Sequence, residues 1–185
     1  MNDYMIAKFI HIIGALGFFV ALGVEWLSLS LARQARTTDQ VRERLHISNP
    51  VHRIGPLSML LILISGFYII AIAKIGSAWI MVAFGSLIVM VVLGLALSGR
   101  RMAAIGRALA VEYGPISSSL RDLLHDPLLW LSLRLRVSIA VGIVFLMTVK
   151  PDLIGALLTM AVVVILGLAF GLPGRLREQR KLPAQ

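Results

Sequence analysis

Long apolar runs alternate with short polar stretches along this chain. Five runs stand out: Ile6 to Ala32, Pro56 to Ala73, Ala78 to Ser98, Trp130 to Val149 and Leu153 to Leu172. At about 1.5 Å of rise per residue, each can cross a hydrocarbon core of about 30 Å, the first with tilt or an extension beyond it. The pattern predicts an all-α integral membrane protein, a single bundle of five transmembrane helices over residues 1–185. Two connections, Lys74-Ile75-Gly76-Ser77 and Lys150-Pro151-Asp152, are short enough to be tight turns. They predict that spans two and three, and spans four and five, form antiparallel hairpins.

The polar stretches also carry helical patterns. Val41 and Leu45 stand four apart among Arg42, Glu43 and Arg44, which predicts a short interfacial helix over Asp39–Ile47. Arg100–Glu112 reads as an extension of span three, ending at Tyr113-Gly114-Pro115. Ser117–His125 reads as a further short helix, halted by Asp126-Pro127. Gly14, Gly17 and Ala21 lighten one side of span one, and Gly167-x-x-x-Gly171 sits in span five. Such residues let helix backbones approach closely.

Composition agrees with a membrane setting. Hydrophobic residues make up 58% of the 185 positions, and the mean hydropathy is +0.90. A soluble domain of this size cannot hide that much apolar surface. The charge then fixes a direction. The loop after span one, the segment between spans three and four and the tail carry 5, 6 and 4 cations, counting Arg134 and Arg136 at the start of span four with the segment, whereas the opposite side carries only Lys8, Lys74 and Lys150. Positively charged loops are retained in the cytoplasm, so the expected topology has the N-terminus outside and the C-terminus inside. The net charge of +9 is thereby assigned to membrane lipids rather than to nucleic acid. There is no cleavable signal peptide pattern, so the first run is expected to stay as a span. The absence of cysteine excludes disulfides, iron–sulfur clusters and thiolate chemistry.

Candidate chemistry rests on the few ionisable residues inside the spans. His11 lies near the outer face, where a neutral imidazole could ligate haem iron or copper or hydrogen-bond a quinone. Met147 and Met81 occupy similar outer depths and are the available axial thioethers. A second His11 from a symmetric partner is another route, through a homo-oligomer. His11, Ala15, Phe18, Leu22 and Glu25 form one helical stripe, expected to face the protein interior. Glu25 is the acidic residue well inside a span, and Arg134 or Arg136 could pair with it; snorkelling to headgroups is the alternative for the arginines. His46, His52 and His125 lack the spacing that places two ligands on one helix face.

Lys8-x-x-His11-x-x-Gly14-Ala15, Gly55-Pro56 before Ser65-Gly66-Phe67-Tyr68, and Met147-Thr148-Val149-Lys150-Pro151 together resemble the uncharacterised DUF2269 integral membrane proteins. The similarity covers spans one to four and implies a small multi-pass protein of the bacterial inner membrane. More distantly, the Lys-x-x-His of span one and the Pro-led second span are similar to HemJ-type protoporphyrinogen oxidases and CopD-like membrane domains. That resemblance implies a haem b at His11, with Lys8 as a second transferable position. The chain differs from those proteins in its fifth span, in Gly17-Phe18-Phe19 where a tryptophan is common, and in having no second intramembrane histidine. The expected activity is haem- or quinone-linked redox work. The alternative is a non-enzymatic protein that binds lipid or a small hydrophobic molecule, or supports a membrane complex.

Overall fold

The computed structural model describes residues 3–48, 51–74 and 76–169. They form eight α-helices and one π-helical turn: α1 (Asp3–Ala32), α2 (Thr38–His46), α3 (Val51–Ala73), α4 (Ala78–Leu93), the π-turn (Gly94–Gly99), α5 (Arg100–Val111), α6 (Ser118–Leu124), α7 (Pro127–Val149) and α8 (Leu153–Ala169). No strand occurs among the described residues; an isolated bridge pairs Thr37 with Pro115. Four stretches are long and apolar enough to cross a membrane: Asp3–Ala32, Arg53–Ala73, Ala78–Val111 and Ser118–Val149, the last taking in α6 and α7. The fifth predicted run is the shorter apolar helix α8, whose 17 residues rise about 26 Å. Gly171, the last residues of that run and the cationic tail from Arg175 to Lys181 lie outside the described residues.

Several boundaries differ from the sequence reading. Helix α3 starts at Val51 and carries Pro56 inside it, rather than starting at the proline. The clash of a proline ring with the residue before it is smallest when that residue lacks a Cβ, and Gly55 supplies this. Helix α7 starts at Pro127 because Asp126 caps it: one carboxylate oxygen accepts from the N–H groups of Leu128 at 2.7 Å and Leu129 at 3.2 Å.

The described residues fall into two compact units, taken in turn. The first comprises residues up to Gly76 together with Ala103–His125. Its main seam is the packing of α1 on α3. A Cβ added at Gly14 would stand 3.1–3.2 Å from Ile62 and Leu61, one at Gly17 would collide with Ser58, and one at Gly55 would stand 3.6 Å from the Ala21 methyl. At each level one helix contributes a small residue, so the two backbones approach closely. Chain direction is antiparallel, with His11, Gly14, Gly17 and Ala21 descending past Ser65, Ile62, Ser58 and Gly55.

The same unit contains a small apolar cap built from segments between the long helices. Val41 and Leu120 are fully buried, with Leu29, Ala32, Ile105 and Leu124 at or near zero exposure. Polar groups tie the cap together by closing helix ends. Arg42 donates to the carbonyls of Leu109 at 2.6 Å and Glu112 at 3.3 Å and lies over the Tyr113 ring. Arg44 donates to the Leu31 carbonyl at 2.6 Å, at the end of α1. Cations at these C-termini satisfy carbonyls that lack helical partners. Thr38, fully buried, donates through its hydroxyl and its N–H to the Gly114 carbonyl. Gly114 sits at φ +84°, a left-handed geometry that favours glycine. The short helix predicted over Asp39–Ile47 is present as α2, and its apolar residue Val41 is a core residue of this cap.

The second unit comprises Ser77–Met102 and residues from Asp126 onward. Helix α7 is its centre and packs on α4, the π-turn and α8. Leu129, Leu133 and Leu146 on α7 are fully buried. Gly142 admits Met160 and Val163 of α8, and Gly167 admits Leu135 and Ser138 of α7, so the predicted α7–α8 hairpin is present. Lys150 ends α7 in the left-handed conformation at φ 53°. Asp152 then accepts from the Gly155 N–H at 2.8 Å, at the start of α8.

Candidate functional site

His11 is oriented by two acceptors on α3. Its Nδ1 lies 3.1 Å from the Ile62 carbonyl oxygen and 3.1 Å from Ser65 Oγ. A carbonyl can only accept, so Nδ1 carries the proton. Ser65 completes the chain, because its own hydroxyl proton is directed to the Leu61 carbonyl. In the neutral form of the ring this leaves the lone pair on Nε2, and among the described residues no hydrogen bond reaches that atom. A hydrogen bond at one ring nitrogen fixes the tautomer and the availability of the other.

The position of the ring follows from the seam. Gly14, one turn along α1, lies against Ile62, the residue whose carbonyl accepts from His11. Gly66 makes room on the other side: a Cβ there would be 3.3 Å from His11 Cε1. Glycine at both levels thus lets the imidazole lie against α3 with its Nδ1 edge in hydrogen-bond range. The predicted stripe is also recognisable. Leu22 is buried, and His11, Ala15, Phe18 and Glu25 are half-buried, whereas Ile12, Ile13, Leu16 and Val20 are exposed.

The other candidates distribute as follows. Met81 on α4 is 79% exposed and Met147 on α7 is half-buried; both belong to the second unit, His11 to the first. Glu25 lies on α1 in the first unit, while Arg134 and Arg136 lie on α7 in the second. His46 and His125 are exposed, and His125 Nδ1 is 2.9 Å from the Arg121 carbonyl; the His52 side chain lies outside the described residues. No three His, Asp or Glu side chains converge among the described residues.

Arg136 has a partner that sequence reasoning missed. Its Nη2 donates to Ser98 Oγ at 3.2 Å, Ser98 donates to Ser132 at 2.9 Å, and Ser132 donates to the Leu93 carbonyl at 2.9 Å. Ser98 and Ser132 are buried, and the Arg136 stem lies over Gly94. This chain of donors spans the π-turn, where i→i+5 pairing widens the helix. It ties the wide turn to α7. Ser65 stands in the sequence motif Ser65-Gly66-Phe67-Tyr68, but its pairing with His11 was missed; the available signal was a hydroxyl inside an apolar run one residue before a glycine.

Comparisons with protein-family models, with curated proteins and with solved structures find no match to this chain.

Proposed function

We propose that this chain is a five-span protein of the bacterial inner membrane that holds a redox group, haem or quinone, at His11. The observation that carries this reading is the pair of acceptors on Nδ1, which leaves Nε2 as a fixed electron-pair donor. An imidazole whose tautomer is set by a neighbouring backbone carbonyl and hydroxyl is suited to ligate a metal or to accept a hydrogen bond. His11 would supply that imidazole, Ile62 and Ser65 would orient it, and Gly66 would leave space for the ring. A bound haem would contribute one-electron transfer. The resemblance to DUF2269 proteins and the apolar character of α8 support the inner-membrane, five-span form.

An absorption spectrum of detergent-purified protein, produced with haem supplied, tests the haem form. A Soret band with α and β bands in the reduced state is expected, lost in His11→Ala. A featureless spectrum rejects haem and leaves the quinone, which solvent extraction and mass analysis then detect or reject. Loss of both would favour the non-enzymatic reading, in which the site holds a lipid or another hydrophobic molecule. That reading draws on one observation: the hydrogen-bond partners of His11 are neutral, with no carboxylate to carry a proton away. The topology has its own check. A reporter fused after Gln185 is expected to be active in the cytoplasm, and periplasmic activity would contradict five spans.

A further inference from the structure

We infer that the His11 site selects a ligand that donates a hydrogen bond, and so takes the reduced hydroquinone in preference to the oxidised quinone. The inference rests on His11 being the ligand-facing group and deepens that reading. A hydroquinone offers O–H donors, which meet the Nε2 lone pair. A quinone offers only carbonyl lone pairs, which would face that lone pair with no proton between them.

The ring cannot easily switch tautomer to suit a quinone. Moving the proton to Nε2 would leave the Nδ1 lone pair against the lone pairs of Ile62 O, 3.1 Å away. Ser65 could reverse its hydroxyl to donate to Nδ1, but only by giving up its bond to the Leu61 carbonyl. Protonating both nitrogens would place a full charge inside the hydrocarbon layer. The site is therefore built to accept at Nε2, with Ser65 as a positioning residue that reinforces the choice.

The test measures binding of decyl-ubiquinol and decyl-ubiquinone, under anaerobic conditions, to the full chain in phosphatidylcholine nanodiscs. Quinol should bind about tenfold more tightly or better, the scale of one well-made hydrogen bond in a desolvated site. In His11→Gln, whose amide can present either a donor or an acceptor, the ratio should fall to near one. Ser65→Ala should reduce the ratio without removing it, because the Ile62 carbonyl remains; an unchanged ratio would deny Ser65 its positioning role. Equal affinities, or a preference for quinone, with binding that still disappears in His11→Ala, would overturn the inference and leave the redox-site reading intact. Binding of neither form would overturn the quinone reading beneath it. A His11-dependent Soret band would give the lone pair to iron, upholding that reading and overturning the quinol assignment. Phosphatidylglycerol carries hydroxyls of its own. Adding it should leave the ratio unchanged, and a ratio abolished by this lipid would assign the hydroxyl to a headgroup and overturn the quinol assignment.

Discussion

Gly14→Leu is expected to separate α1 from α3 and to release His11 from its acceptors. A Cβ at this position already falls 3.1 Å from Ile62 Cγ1 and 3.2 Å from both the Ile62 backbone nitrogen and Leu61 Cβ. Backbone cannot move aside as a side-chain tip can, so the remaining leucine atoms force the helices apart. Overpacking of this kind costs about 1–3 kcal/mol or more. Because Ile62 is both the steric neighbour of Gly14 and an acceptor for His11, the damage reaches the site directly. Unfolding measured in detergent should show the loss, and the ligand proposed for His11 should bind less well. Gly14→Ala, needing a shift of a few tenths of an ångström, should be intermediate. Gly23→Leu is the control, since nothing lies within 4 Å of a Cβ there. If Gly14→Leu is as stable as Gly23→Leu, the seam does not hold α1 to α3 as described.

Asp126→Ala should destabilise the second unit by about 2–3 kcal/mol, adding the loss of a helix cap to the loss of an ion pair. Asp126 Oδ1 accepts from two N–H groups at the start of α7 and lies 2.9 Å from Arg101 Nε. Both side chains are largely shielded, at 20% exposure for Arg101 and 24% for Asp126. Asp126→Asn separates the two contributions, because asparagine caps helices as well as aspartate does but carries no charge. The pH dependence follows from the carboxyl's environment. Burial alone would raise its pKa, but the Arg101 guanidinium and the N–H groups of Leu129 and Leu128 outweigh burial and hold it below the ordinary carboxylate range. A group depressed on folding contributes stability that is fully present above its unfolded pKa of about 3.9 and is lost as pH falls through the lowered value. The stability gap between the native chain and Asp126→Asn, measured by thermal unfolding, should thus be constant near neutrality and close below about pH 4. A gap that persists in acid would remove the ion pair from the account.

Much of the fold is legible in the apolar runs, because a hydrocarbon layer demands uninterrupted apolar helix and the cations mark its ends. The helices of the connecting segments are legible too: Thr37, Ser117 and Asp126 are capping residue types, and each accepts the expected backbone bond. Burial of Val41 is less so, because amphipathic spacing names an apolar face without naming what covers it. The small residues Gly14, Gly17 and Ala21 announce a close approach, but a single sequence does not say that the partner is α3. For the same reason His11 is visible as a candidate while Ser65 is not. A serine in an apolar helix ordinarily bonds to the carbonyl four residues back, as Ser86 and Thr148 do, and only the fold brings Ser65 to an imidazole 54 positions away. The π-turn left no periodic trace in the run Ala78 to Ser98. Its supports, Ser132 and Arg136, come from a different helix.

The acceptors around His11 imply a neutral imidazole with its proton on Nδ1 and a lone pair on Nε2. Nitrogen NMR of protein labelled with ¹⁵N-histidine in lipid bilayers measures this directly. The chain has 4 histidines, and the His11 signals are those missing from His11→Gln. At neutral pH, before ligand is added, one His11 nitrogen should carry a proton and correlate with Nδ1, and the other should resonate as a bare nitrogen. A proton on Nε2, or two protonated nitrogens, would contradict the account.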